Sequence, residues 1–355
     1  MNIKINLNWQ ISFDKEHSID PILFSLLQSV EELGSLKRAT EKVNVSYRFA
    51  WGLLGKWEKA LQQPLVILER GRGAHLSVIG EKLLKAHLQL QARFSPDLDN
   101  FATQFKQEFE SLLIQDKQTS LNIFASHGLA IGSLRDLINQ QTDFKLDLHF
   151  HGSLESLQAL TQGSCDIAGF HIPAGDITKQ LSPQYLSLIN SQQHQLIYVV
   201  KRNQGLMVQA SNPKKIRGVK SLTNNKVQFI NRQSGSGTRL LFDQLLAADN
   251  INAEQINGYQ HEEFTHMAVA AMIASGVADV GLGISAMAEK FNLEFIPLIW
   301  EHYCLAVPKT ILNDGRVSKI IALLQSDAYQ HSLSNSTGYD SSQSGQLVNF
   351  NSIFD

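Results

Sequence analysis

Leu36-Lys-Arg-Ala-Thr-Glu-Lys-Val-Asn-Val-Ser-Tyr-Arg-Phe-Ala-Trp51 reads as a helix, a tight turn and a second helix. Ser35, after Gly34, is placed to cap the first helix, because its side-chain oxygen accepts from an early backbone N–H. Leu36, Ala39 and Val43 then share one face at helical spacing. Asn44-Val45 makes the turn, and Ser46 caps the second helix. That helix is expected to turn Phe49, Leu53 and Trp57 inward and to leave Tyr47, Arg48, Lys56 and Lys59 for a partner. An aromatic and an arginine in its first turn suit a helix whose N-terminal residues meet base edges in a major groove.

Outward from this stretch, Leu65-Val-Ile-Leu68 is a short apolar strand, and Glu69-Arg-Gly-Arg-Gly-Ala-His75 a glycine-rich, basic tip. Leu76 then leads into the next helix. Two strands about such a tip describe the wing of a winged helix, with Arg70 and Arg72 expected to reach phosphates or a minor groove. The candidate DNA contacts are Ser35, Ser46, Tyr47, Arg48, Trp51, Lys56, Arg70 and Arg72.

This part resembles the N-terminal DNA-binding domain of ModE-type and LysR-type bacterial regulators. The likeness rests on Gly34-Ser35-Leu36, Ala39-Thr40, Val45-Ser46-Tyr47-Arg48 with Ala50-Trp51, Pro64-Leu65-Val66, the 70–74 wing, and Leu76-Ser77 with Gly80. Ser-Tyr-Arg-x-Ala-Trp is specific to the ModE side of that pair. The resemblance implies double-stranded DNA as partner.

The 355 residues allow two or three domains, and the net charge of −2 hides an uneven distribution. Between Glu31 and Arg93 eleven Lys/Arg stand against six Asp/Glu, so the acidic excess lies downstream. One domain that meets DNA and another that does not would leave that footprint. The alternating residues 1–9 suggest a strand or extended arm and lack the apolar core of a signal peptide. No apolar run approaches membrane-spanning length. Cys165 and Cys304 look like small buried residues. A cytoplasmic protein without membrane contact is expected.

From 77 to about 115 the chain reads as helix, with Leu83, Leu84, Leu88 and Leu90 followed by Phe94, Leu98, Phe101, Phe105, Phe109 and Leu112. Pro96 either kinks it or starts a new helix. So narrow a seam needs another surface, and a twin helix in a homodimer, or a dimer of dimers, is the expectation because operators usually carry two-fold symmetry.

After a polar joint at 116–120 the texture becomes βαβ. Strands are expected over 121–125, 145–150, 166–170, 195–200, 226–230, 279–283, 294–298 and 303–307, and helices over 128–140, 154–162, 238–248, 264–275, 284–291 and 316–324. This alternation implies a mostly parallel sheet covered on both faces. The Ser/Gln/Asn-rich tail after His331 is read as a wrapping or loosely held segment.

Asn231-Arg-Gln-Ser-Gly-Ser-Gly-Thr-Arg239 runs from a strand into a helix, and its backbone N–H groups at a helix start suit an anion. Neither a Walker A ending nor a dinucleotide fingerprint is present. Ser126-His127, Ser153, His171 and His266 also stand at strand ends or helix starts, where open α/β sheets bind ligands. The candidate effector residues are Ser126, His127, Ser153, His171, Arg232, Ser234, Ser236, Thr238, Arg239, His266 and Tyr303. Acidic residues look scarce around them, and no catalytic residue, metal ligand or cofactor is expected.

Residues from about 119 to 345 resemble the periplasmic-binding-protein-like domain of tungstate and molybdate binders, which is also attached to some molybdopterin-synthesis proteins. The matching motifs are Gly163-x-Cys165-Asp166-x-Ala168-Gly169-x-His171, the 231–239 loop, and Gly276-x-Ala278-Asp279-x-Gly281-x-Gly283. Glu294-Phe-Ile-Pro-Leu298 with Glu301-x-Tyr303, and Gly338-Tyr339-Asp340, also fit. The resemblance implies two α/β lobes joined by crossing strands, with ligand in the cleft. ModE regulators sense molybdate with small β-barrel domains, and no such segment exists here, so the first likeness does not transfer the effector.

The expected architecture is a winged helix-turn-helix over 1–92, a linker and dimerisation helix over 93–117, and an effector domain over 118–355. Its lobe I takes 118–200 and 302–355, and lobe II takes 201–301. The expected function is a non-enzymatic transcription regulator controlled by a small anion such as molybdate, tungstate or formate. The alternative is an enzyme or ligand-binding protein of molybdenum-cofactor metabolism.

Overall fold

The computed structural model describes residues 3–12, 16–69, 73–113, 120–334 and 336–355. The chain forms two compact units, one of residues 6–92 and one of residues 93–355 together with the described residues 3–5.

In the first unit, β1 (Gln10–Ser12) and β2 (Glu16–Ser18) pair antiparallel. Three helices follow: α1 (Pro21–Leu33), α2 (Leu36–Val43) and α3 (Tyr47–Leu61). Gly34 and Asn44 end α1 and α2 in the left-handed region, the usual way to stop a helix abruptly. Ser35 and Ser46 cap α2 and α3, accepting from Arg38 N and Phe49 N. β3 (Val66–Glu69) and β4 (Gly73–Leu76) form the wing hairpin. Gly73 has φ +93°, and a Cβ on it would stand 2.3 Å from the Gly34 carbonyl oxygen, which Ala74 N–H meets at 2.9 Å. The wing is thus anchored on the α1–α2 turn, where only glycine fits.

The buried stripe of α3 is Ala50, Leu54 and Trp57, with Leu53 half-buried. Phe49, expected inward, is 44% exposed. Trp57 is buried as expected, but Ala50 and Leu54 take the buried positions expected of Phe49 and Leu53, in the same core as Leu23, Leu26 and Leu27. Trp9 closes that core from residues without regular structure: its indole N–H donates to His87 Nδ1 at 3.1 Å, and Phe24 stacks on His87 at 3.7 Å. Of the two readings of 1–9, a strand or an extended arm, the strand is absent from the described residues 3–9.

One helix, α4 (Val78–Leu113), runs through the segment read as helix over 77–115 and into the expected linker helix at 93–117; it continues through Pro96 rather than restarting there, and positions 114 and 115 lie outside the described residues. From Arg93 on it belongs to the second unit. There Asn100 brackets β6 (Leu146–Phe150), and Thr103 Oγ1 donates to Leu148 O at 3.2 Å.

The second unit is one continuous sheet of ten strands with helices on both faces. Its strands are β5 (Leu121–Ala125), β6, β7 (Ile167–Pro173), β8 (His194–Val208), β9 (Phe229–Arg232), β10 (Glu262–Glu263), β11 (Val280–Ile284), β12 (Glu294–Pro308), β13 (Tyr339–Asp340) and β14 (Leu347–Val348). The spatial order is β10-β9-β11-β8-β12-β7-β5-β6, with β13 and β14 against β8. β5 is parallel to β6 and β7, and β9 to β10 and β11. β8 and β12 run antiparallel to each other through the whole unit, 15 residues each. They join a lobe of β5–β7 to a lobe of β9–β11. Strands expected as separate pieces at 294–298 and 303–307 are therefore one, bent by register shifts at Pro297/Ile299 and Tyr303/Cys304.

The helices of this unit are α5 (Leu129–Gln141), α6 (Ser153–Thr161), α7 (Asp176–Leu186), α8 (Gly237–Ala248), α9 (His266–Ala274), α10 (Ser285–Lys290), α11 (Gly315–Gln325), α12 (Asp327–Ser334) and α13 (Asn351–Phe354). Apolar cores fill both faces of each lobe. The polar tail wraps: Phe350, Ile353 and Phe354 are buried beside Tyr185 and Phe170. Cys165 and Cys304 are buried and free. Among the described residues, no helix is long and apolar enough to cross a membrane.

Candidate functional site

On the first unit, Tyr47, Arg48, Trp51 and Lys56 are exposed along α3, and Tyr47 and Trp51 stack one helical turn apart. Ser35 and Ser46 spend their side-chain oxygens on caps. Arg70 and Arg72 lie outside the described residues.

In the second unit a cavity of about 370 Å³ opens between the two lobes. Four helix starts converge on it. His127 and Gly128 precede α5, Gly152 and Ser153 open α6, Ser236 to Thr238 open α8, and Thr265 with His266 opens α9. Two come from each lobe, and every one leaves backbone N–H groups without a helical partner. The lobes meet at the cavity's edge, where a Cβ on Gly152 would stand 3.1 Å from Gly235 O and one on Gly237 would stand 3.4 Å from Ser153 Oγ. Ser153 Oγ also accepts from His171 N at 3.1 Å and lies 3.5 Å from Ser126 Oγ.

The buried floor is built by the crossing strands. Arg202 on β8 pairs with Glu301 on β12, directly opposite in register, and both side chains are almost fully buried. Gln204 donates to Thr238 Oγ1 at 3.3 Å and to Glu301 Oε2. Arg202 Nη2 lies 3.4 Å from His266 Nε2. Since a guanidinium only donates, that nitrogen accepts and the ring proton sits on Nδ1, a buried atom without a protein partner. His171 Nε2 is likewise buried and unpartnered, its ring stacked 3.9 Å from Tyr303. Arg232, at the end of β9, donates to Phe264 O at 2.9 Å and to Gln233.

Burial and then the nearby Arg202 lower Arg232 to about 9. Burial, reinforced by the arginines, holds His127 at about 4 and pushes His171 and His266 well below their ordinary value. All three rings are therefore neutral near pH 7. The buried floor holds two guanidiniums and one carboxylate, a local cationic excess that an anion would balance, while Arg93, Asp97, Glu155 and Glu262 stand at the rim.

Nine of the eleven expected effector residues line the cavity: Ser126, His127, Ser153, His171, Arg232, Ser234, Ser236, Thr238 and His266. Arg239 does not. Its guanidinium lies over Tyr259 at 4.1 Å and pairs with Glu262 at 2.9 Å and Asp243 at 3.2 Å, a structural role one helical turn behind the loop. Tyr303 stands behind His171, off the cavity wall. The sequence reading missed Arg202, Glu301, Phe150, Phe264 and the rim residues Arg93, Asp97, Glu155 and Glu262. It also expected few acids here, whereas Asp97, Glu155, Glu262 and Glu301 all line the cavity. The available signal was an arginine two residues beyond the apolar run Leu196-Ile-Tyr-Val-Val200.

A family model described as the PBP superfamily domain matches residues 134–325. YvgK of Bacillus subtilis (strain 168) is 32% identical over 238 residues, covering 67% of this chain and 73% of YvgK. The molybdenum transport protein ModE of Azotobacter vinelandii is 23% identical over 156 residues, 40% of this chain and 55% of that one. Among solved structures, a peroxide-bound OxyR mutant of Corynebacterium glutamicum aligns with a TM-score of 0.45 and 13% identity, over 90% of this chain and 95% of its own.

Proposed function

The chain belongs to the PBP superfamily, and from that premise we propose that it is a one-component transcription regulator whose α/β unit senses a small anion. The observation that carries this is the meeting of Arg202, Arg232 and four helix starts around one cavity, in a chain that also holds a winged-helix unit. Neutral imidazoles, hydroxyls and backbone N–H groups satisfy an anion's oxygens, while the guanidiniums balance its charge. Ser126 and Ser153 would hold it from one lobe, Ser236 and Thr238 from the other. Contacts from both lobes make closure depend on ligand, because a ligand held by one lobe has no preference between open and closed.

Molybdate or tungstate is the first effector to test, in keeping with the resemblance of residues 119–345 to tungstate and molybdate binders rather than with the ModE likeness. A small carboxylate such as formate comes next. The winged-helix unit binds duplex DNA through α3 and the wing, as a homodimer, and closure of the lobes alters that binding. No step of catalysis belongs to this reading.

A thermal-shift screen of oxyanions and small carboxylates tests the sensor, since a ligand of the folded state raises Tm. Titration calorimetry with the hit should show weaker binding for Ser126→Ala, Ser236→Ala and Thr238→Ala. Unchanged binding in all three would move the pocket elsewhere. Gel shifts at two salt concentrations test the other half: Arg48→Ala should cost about 1–3 kcal/mol if Arg48 reads a base. Equal affinity for wild type and Arg48→Ala would remove it from the interface.

A further inference from the structure

The first turns of α3 hold three aromatic rings in solvent, with Tyr47 48%, Phe49 44% and Trp51 55% exposed. Tyr47 and Trp51 lie 11° from parallel, 6.3 Å between ring centres. Their backbone is pinned, because Ser46 Oγ accepts from Phe49 N at 3.1 Å and Ala50 and Trp57 are fully buried beneath. Tyr47 and Trp51, one turn apart, share one side of α3, and Phe49, two residues from each, stands on another side. Apolar rings held so rigidly stay costly in water until something covers them.

The surroundings say what covers it. Arg48, Lys56 and Lys59 on α3 and Lys37 and Arg38 on α2 are all exposed. Cations interleaved with apolar rings complement a polyanion that offers apolar groups within a groove. Duplex DNA does so at one base: the thymine C5-methyl is the apolar feature of the major-groove edge, where the other bases show donors and acceptors.

Building on the DNA-binding reading above, we propose that α3 selects its operator by packing Tyr47, Phe49 and Trp51 against thymine methyl groups, while the surrounding cations hold the phosphates. The rings need few rotamers fixed, so little conformational entropy opposes the contact. Specificity then comes from methyl positions as well as from hydrogen bonds.

The test uses the full chain. It first selects a binding duplex from a random-sequence library, then compares that duplex with the same one synthesised with deoxyuridine for thymidine. Selected half-sites should contain thymines, and uracil should weaken wild-type binding roughly fourfold for each contacted methyl removed. Phe49→Ala and Trp51→Ala should bind thymine and uracil duplexes alike, with their salt dependence intact. Equal wild-type affinity for both duplexes would overturn the aromatic readout and leave DNA binding standing. Failure to select or retain any duplex at low salt would overturn both. Loss of a dimer in Phe49→Ala or Trp51→Ala by light scattering would instead assign the rings to a protein contact and overturn the proposal.

Discussion

Arg202 and Glu301 face each other in register on the two strands that join the lobes, and both are buried. Glu301 already occupies part of the guanidinium that an anion would use. Glu301→Gln should lower stability by about 3 kcal/mol, because one partner of a buried pair is left uncompensated. The same variant should gain more stability from a bound anion than wild type does. Denaturation with and without the screened effector measures both, and an unchanged ligand-induced gain would detach Arg202 from the anion.

Arg232 and Arg239 lie at either end of one loop, but only Arg232 lines the cavity. Arg232→Gln should weaken anion binding at least tenfold with a modest loss of stability. Arg239→Gln should do the reverse, since it breaks contacts with Tyr259, Glu262 and Asp243 worth about 1–2 kcal/mol together. Calorimetry and denaturation on the two variants decide this. An exchange of the two phenotypes would reverse the assignment.

On α4, Phe101, Phe105 and Phe109 are 61%, 49% and 41% exposed, and Phe105 touches Phe109 at 5.1 Å between ring centres. The opposite side of the helix is already docked on β6. A second copy is the expected cover. Phe101→Glu with Phe105→Glu should give monomers in light scattering, and DNA affinity should fall with the loss of dimer. A double variant that stays dimeric would place the dimer contact elsewhere.

His127 and His87 are both held near 4 by burial, against an ordinary value of 6.5. Between those values the unfolded chain binds protons that the folded chain refuses, so stability falls as pH drops from 6.5 and levels off near 4. The loss should be about 3 kcal/mol for each ring. A bound anion favours the protonated ring at His127, so anion affinity should rise over the same interval. His127→Asn should flatten that rise in calorimetry at pH 7 and pH 5. An equally steep rise in the variant would shift the coupling to His171 or His266.

What the sequence by itself determined is local. Caps at Ser35 and Ser46, glycines at the wing, and the strand-to-helix turn at 231–239 depend on neighbours within a few residues, where backbone hydrogen bonding leaves few choices. The βαβ alternation followed in the same way from periodicity. Phase and long range needed the tertiary structure. Phe49 and Ala50 are adjacent, and only packing against α1 decided which one is buried. Arg202 lies two residues past the end of the expected strand at 195–200. Its partner lies 99 residues away, and the pairing of β8 with β12 carries both strands through the hinge and places that charge on the floor of the cleft. Arg239 read as an anion ligand until the fold brought Tyr259, Glu262 and Asp243 to its guanidinium. A side chain's direction is settled by the groups nearest to it in space, and that nearness is what a linear pattern does not contain.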